Sequence, residues 1–237
     1  QLGRGETIAD TAKIISGYCS ALIIRTFAQA DVEELGAHAS IPVINALTDD
    51  DHPTQLLADW LTIRENFGKD IAGRKFVYLG DGNNMSHAWL MMGAIMGAHV
   101  VAATPSGKWA PDAKVVEIAK IIASKSGGKV EVSHDPEAAS KDASVLYTDV
   151  WMSMGDSESE RDEKMLALSP FAVTENLFSL TNKDSIFMHC LPAHRGEEVE
   201  ASVIDGPRSV IWREAYHRRT TIQSLLFHLT KGDLKGN

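Results

Sequence analysis

Cysteine is nearly absent: the 237 residues contain two, Cys19 and Cys190. So few thiols exclude a disulfide framework and fit a reducing compartment. No apolar run approaches the roughly 20 residues that cross a bilayer, and no block of Lys and Arg could neutralise a row of phosphates. With 32 acidic against 23 basic residues the formal charge is −9. Nucleic acid and membrane are therefore disfavoured as partners, and a cytoplasmic protein is expected. Low-complexity segments and internal repeats are also missing. A hydrophobic content of 44% instead gives enough apolar surface for one large core or two modest ones.

What is present alternates. Ile8, Ala12 and Ile15 recur at helical spacing between Glu6 and Tyr18, and a short apolar run, Ala21 to Ile24, reads as a buried strand. A helix is expected over Ala28–His38, a strand over Pro42–Ala46, and a long helix from Pro53, at a permitted first-turn position, to Phe67. After Gly68 and Gly73 the pattern restarts. Strands are expected at Lys75–Leu79, His99–Ala103, Lys129–Ser133, Ser144–Tyr147, Ser185–Met188 and Ser209–Ile211, and helices at Met85–Met96, Pro111–Lys125, Pro136–Ser140 and Ala215–Leu229. Strands separated by such helices pair in parallel through right-handed crossovers, which makes a doubly wound α/β sheet. The break near residues 67–73 is the expected domain boundary, and the polar stretch Gly155–Glu163 reads as a mobile loop.

In open α/β sheets ligands sit beyond the carboxyl ends of the strands, so the residues that follow strands come first. His52-Pro53-Thr54-Gln55 opens a helix with an imidazole and an amide, beside free backbone N–H groups that favour an anion; an acidic N-cap with an incidental His is the alternative. Arg25 ends an apolar strand, where a guanidinium suits phosphate or a polarised carbonyl, or else a surface ion pair. Gly80-Asp81-Gly82-Asn83-Asn84 starts like a dinucleotide fingerprint, but the third glycine is replaced and Thr104 stands where an acidic ribose ligand is expected. Asp149 follows another strand and can hold an ammonium, with Ser153 and nearby amides able to hold a carboxylate, a combination that matches an α-amino acid. His189-Cys190-Leu191-Pro192 ends the last long apolar run. His194 lies four residues beyond Cys190, but Pro192 argues against a helical metal pair and too few other ligands are expected nearby, so no metal is expected. Trp60, Trp89, Trp151 and the methionines 91, 92 and 96 read as packing.

Taken together, His-Pro-Thr-Gln at 52–55, Asp-Val-Trp-Met-Ser-Met-Gly at 149–155 and His-Cys-Leu-Pro at 189–192 resemble the signatures of ornithine carbamoyltransferases, in the same order and over essentially the whole chain. The resemblance implies two doubly wound lobes, the first incomplete. Residues 1–66, joined by a returning helix over 215–237, would belong to a carbamoyl-phosphate domain, and residues 67–214 to an ornithine domain. It further implies a carbamoyl phosphate site at Gln1, Arg25, His52, Pro53, Thr54, Gln55, Cys190, Leu191 and Arg218, and an L-ornithine site at Asn84, Asp149, Ser153 and Met154. Cys190, Asp149, His52 and Arg25 would carry the chemistry, without metal or organic cofactor. Gln1 would serve a neighbouring subunit, which implies a homotrimer or a multiple of trimers. Arg219 beside Arg218, and His217 in place of the family's usual Asn, are departures.

The family also binds phosphate with a Ser-Thr-Arg-Thr type loop, and that tetrapeptide does not occur here. It would lie upstream of Gln1, so residues 1–237 are expected to be a fragment that binds carbamoyl phosphate poorly alone. The rival expectations are a sister transcarbamoylase acting on aspartate, putrescine or an acylated ornithine, a non-catalytic binding module, and a dehydrogenase weakened by the missing acidic residue.

Overall fold

The computed structural model describes residues 5–69, 71, 73–152 and 157–231. Gln1, Ser153 and Met154 lie outside the described residues. In chain order the elements are α1 (Ile8–Ser16), β1 (Leu22–Arg25), α2 (Gln29–His38), β2 (Val43–Leu47), α3 (Pro53–Phe67), β3 (Lys75–Leu79), α4 (Asn84–Ile95), β4 (His99–Ala103), α5 (Ala113–Ser126) and β5 (Lys129–Ser133). They continue with α6 (Pro136–Ser140), β6 (Val145–Thr148), α7 (Arg161–Leu168), α8 (Glu175–Ser179), β7 (Ile186–His189), α9 (Ala201–Ile204) and α10 (Ile211–Lys231).

β1 and β2 form a two-stranded parallel sheet; the other strands form a parallel sheet in the order β5-β4-β3-β6-β7. The α/β architecture expected from alternation is therefore present. In the five-stranded sheet both faces are covered, so its strands are apolar at successive positions rather than alternately. One face sends Phe76, Tyr78, Val100, Ala102, Val145, Tyr147, Ile186 and Met188 towards α3, α4 and α5. The other sends Val77, Leu79, Val101, Ala103, Leu146 and Phe187 towards α6, α8 and α9. Each fully enclosed side chain of this size contributes about 1.5–3 kcal/mol relative to exposure.

α3 ties the two sheets together. Pro53 supplies its first turn, Gly68 closes it at φ 78°, and its buried face includes Leu56, Trp60 and Ile63. Trp60 meets Phe76 of β3 edge-on at 5.5 Å and lies 6.1 Å from Trp89 of α4. α10 packs against α3, and Gln55 near the start of α3 meets Glu214 near the start of α10.

Two expectations are corrected. Residues 209–211 are not a strand: Ser209 makes a single bridge to Phe187, and the chain turns into α10 at Ile211, where the Glu214 amide already donates to the Val210 carbonyl at 2.9 Å. Nor is the described part of 155–163 a loop throughout, since residues 161–163 already belong to α7. Residues 158–160 form a 3-10 turn that runs into α7. α7 is anchored by Lys164, whose ammonium lies 2.6 Å from Asp81 and over the Trp109 ring at 5.2 Å. The short helices α8 and α9 were not anticipated either.

Candidate active site

The strand order reverses direction beside β3, whose neighbours are β4 and β6. The carboxyl ends of β3 and β6 thus flank a topological switch point, where ligands bind in such sheets. β3 leads into the Gly80–Asn84 turn. Gly82 must be glycine there, because a Cβ would lie 2.2 Å from the Ala110 carbonyl carbon. Asn83 caps α4, its Oδ1 accepting from the amides of Met85 at 3.0 Å and Ser86 at 3.3 Å and from the Tyr78 hydroxyl at 3.2 Å. Its Nδ2 donates to Asp149 Oδ2 at 3.4 Å. Asn84, the residue expected beside the amino-acid substrate, instead donates from Nδ2 to the Thr48 carbonyl at 2.9 Å, bridging to the end of β2.

Asp149 follows β6 and Cys190 follows the neighbouring β7, and the Cys190 thiol donates to Asp149 Oδ1 at 2.9 Å. Burial pushes the thiol well above its ordinary pKa, and the Asp149 carboxylate raises it further. Cys190 is therefore a neutral hydrogen-bond donor in this setting, not a thiolate. Leu191 adopts φ 57°, sparsely populated for a branched residue, and precedes a cis bond to Pro192.

His189 holds this bend. Its Nδ1 accepts from the Leu191 amide at 2.8 Å, and its Nε2 faces Glu198 Oε1 at 3.3 Å, with both side chains fully enclosed. An acceptor at Nδ1 requires the proton on Nε2, so Glu198 fixes the tautomer. The expectation that few ligand-type groups surround His194 is corrected: His194, Glu197 and Glu198 bring ligand atoms within 4.8 Å of one another. Glu198 already accepts from His189, and Arg161 stands 3.8 Å from Glu197.

On the other wall, Arg25 ends β1 and His52 caps α3. Thr54 is buried and donates to the Ala46 carbonyl at 3.0 Å, which locks the first turn of α3 onto the end of β2. Burial lowers the His52 pKa to about 3, assisted by the charges of Arg218 and Arg25, so all three groups lie within electrostatic reach. Arg218 of α10 donates from Nη1 to Gln55 Oε1. His52 Nδ1 and Arg218 Nε are buried without a hydrogen-bond partner among the described residues. Buried polar atoms are nearly always paired, so two such atoms on one wall mark a place for a polar ligand. The Glu214 carboxylate links the walls: Oε1 accepts from Gln55 Nε2 at 3.1 Å and Oε2 from the His189 amide at 3.0 Å.

His217, where the resemblance gave Asn, turns away from this wall and lies 2.9 Å from Glu65, which Arg213 also grips through two bonds. Sequence reasoning passed over Glu198, Asp59 and Glu214, none of which carries a local signal.

The family model of the aspartate/ornithine carbamoyltransferase carbamoyl-P binding domain matches residues 1–65, and that of the Asp/Orn binding domain matches residues 72–229. An ornithine carbamoyltransferase of Anoxybacillus flavithermus is 52% identical over 229 residues, covering 97% of this chain and 72% of the relative. One of Pyrococcus horikoshii is 51% identical over 232 residues, covering 98% and 72%. Among solved structures, the ornithine carbamoyltransferase of Pyrococcus furiosus superposes with a TM-score of 0.91 at 49% identity, covering 99% of this chain and 74% of that one. With both family domains matched in order along nearly its full length, the chain belongs to the aspartate/ornithine carbamoyltransferase family.

Proposed function

We propose that this chain transfers the carbamoyl group of carbamoyl phosphate to the side-chain amine of L-ornithine, giving L-citrulline and phosphate in arginine metabolism. The observation that carries the reading is the pairing of Asp149 with the neutral Cys190 thiol opposite a wall of guanidinium and imidazole. An anionic carboxylate favours a cationic amino-acid side chain, and an aspartate substrate would meet like charge there.

In the proposed reaction Asp149 and Cys190 orient the δ-amine, which must be neutral to attack. The nitrogen lone pair forms a bond to the carbamoyl carbon while the C=O electron pair moves onto oxygen. Arg25, the neutral His52 and Arg218 supply donors to that oxyanion and to the phosphate, the kind of preorganised stabilisation that dominates acyl transfer. The oxyanion pair then re-forms the C=O as the carbon–oxygen bond to phosphate breaks, and phosphate leaves with the bonding pair and takes up the proton that the amine loses. The proposed carbamoyl phosphate site comprises Gln1, Arg25, His52, Pro53, Thr54, Gln55, Cys190, Leu191 and Arg218; the proposed ornithine site comprises Asn84, Asp149, Ser153 and Met154. Residues 1–66 with the returning helix 215–237 form the first domain in this reading, and residues 67–214 the second.

A homotrimer, or a multiple of it, is the proposed assembly, and the cytoplasm the proposed location. No helix among the described residues is long and apolar enough to cross a membrane. The test is product analysis of the full-length protein with carbamoyl phosphate and a panel of ornithine, acylated ornithine, putrescine and aspartate. Citrulline is expected as the dominant product; faster carbamoylation of any other member overturns the assignment.

A further inference from the structure

Beneath Gln55 lie two carboxyl groups that the reaction above does not use. Asp59, one turn further along α3, and Glu214, in the first turn of α10, are both fully enclosed. Gln55 Nε2 donates to Asp59 Oδ1 at 2.8 Å and to Glu214 Oε1 at 3.1 Å, so the two protons of one amide bridge two acids. The second Asp59 oxygen, Oδ2, is buried without a hydrogen-bond partner among the described residues, and the two carboxyls bridged by Gln55 lie close enough to act on each other electrostatically. Two buried carboxylates in contact repel unless one is protonated, and the proton then lies between them. Burial pushes both groups above the usual carboxylate range, and the Asp59 charge raises Glu214 further.

The surroundings set the consequences. Arg218 provides the opposing positive charge, and Tyr147 of β6 and Cys190 at the β7 end face the pair. With its NH2 group committed to the acids, Gln55 must turn Oε1 towards Arg218, which is where it accepts from Nη1. The second Glu214 oxygen holds the His189 amide at 3.0 Å, immediately before Cys190. Three segments distant in sequence, 55–59, 189–190 and 214–218, thus meet at one pair of acids.

We propose that Asp59 and Glu214 share a single proton and act as positioning residues for carbamoyl transfer, locking Gln55 and Arg218 on the electrophile side to the His189–Cys190 backbone on the amine side. The inference rests on the function proposed above. Its test uses Glu214→Gln, a neutral isostere that can still accept from the His189 amide and donate to Asp59, and Glu214→Ala, which strands both the amide and Gln55. In the full-length protein Glu214→Gln is expected to keep kcat within about fivefold of the parent, since it keeps the His189 bond and can donate to Asp59 and gives up only the bond from Gln55. Glu214→Ala is expected to lose roughly 10- to 100-fold in kcat and to raise KM for carbamoyl phosphate, as a small misplacement of reacting groups does.

Infrared spectroscopy gives a readout independent of turnover. At neutral pH the parent should show the carbonyl stretch of a neutral buried carboxylic acid, and Glu214→Gln should lack it. Folded Glu214→Ala with parental kcat and KM, or a Glu214→Gln difference spectrum showing loss of carboxylate bands only, would overturn the proposal. Absence of citrulline formation by the parent would instead count against the assigned reaction, and the infrared comparison would still decide the shared proton.

Discussion

On the five-stranded side of the crevice, Asp149 and Cys190 project from the ends of strands enclosed at every position, whereas on the two-stranded side Arg25 ends a strand whose residues alternate between half-buried and exposed. The first wall fixes its groups by mutual hydrogen bonds: thiol to carboxylate, asparagine to carboxylate, imidazole to loop amide. The second wall leaves His52 Nδ1 and Arg218 Nε without a hydrogen-bond partner among the described residues, and burial, with the Arg218 and Arg25 charges in reach, keeps its imidazole neutral. The wall that must orient a small amine has its carboxylate and thiol already paired, with Trp151 Nε1 beside them unpartnered among the described residues, while the wall that must receive an anion and a developing oxyanion keeps buried polar atoms in reserve.

Breaking the Asp149 wall should cost most. Asp149→Asn preserves shape but removes the charge that holds the amine, and kcat with ornithine should fall by about 100- to 1,000-fold, the range of a lost positioned acid–base group, with KM for ornithine raised. On the donor wall, Arg218→Lys keeps a positive charge but cannot present the guanidinium fork. KM for carbamoyl phosphate should rise roughly 10- to 100-fold, the worth of a hydrogen bond to a charged group, while ornithine binding changes little. Steady-state kinetics with each substrate varied separates these two outcomes, and equal effects on both substrates would erase the distinction between the walls. Cys190→Ser retains a donor to Asp149 with a shorter reach, so a loss of about fivefold to tenfold in kcat is expected.

The smallest effect concerns His52 and is read in stability. An unfolded imidazole titrates near pH 6.5, but in the fold burial and the two arginines lower it to about 3. Between those values the unfolded chain binds more protons, so the contribution to stability is complete above pH 6.5 and is lost as pH falls towards 3. Denaturant unfolding of the parent between pH 7 and 5 should show a decline on the order of 1–2 kcal/mol from this group, and His52→Gln should lack it. An unchanged slope in that variant would show that the donor wall does not hold the imidazole neutral.

Sequence made the sheet order of events visible but not every element. α3, β3, β4, β5 and α6 fall where periodicity and turn residues put them, because apolar runs bounded by Gly, Pro or Asp carry their own boundaries. α7 escaped because half of its buried face is Lys164, beside Leu168, and that lysine is balanced by Asp81 from a distant turn; no local pattern encodes such a pair. The bridge at Ser209 resembled a strand since Val210 and Ile211 are β-branched, yet Ile211 starts a helix that α3 accepts. In the site, strand-end residues such as Asp149 and Cys190 were legible because topology sends them to one edge. Asp59 and Glu214 were not, since a carboxylate on a helix reads as a solvated face until tertiary packing encloses it.

A crystal structure with a bisubstrate analogue, a phosphonoacetyl group joined to the δ-nitrogen of ornithine, tests the two-wall account most directly. The account places the δ-nitrogen within hydrogen-bond distance of Asp149 and Cys190, with the analogue's polar atoms pairing His52 Nδ1 and Arg218 Nε. An analogue seated with its phosphonate against Asp149, or with His52 Nδ1 and Arg218 Nε still unpaired, would contradict it.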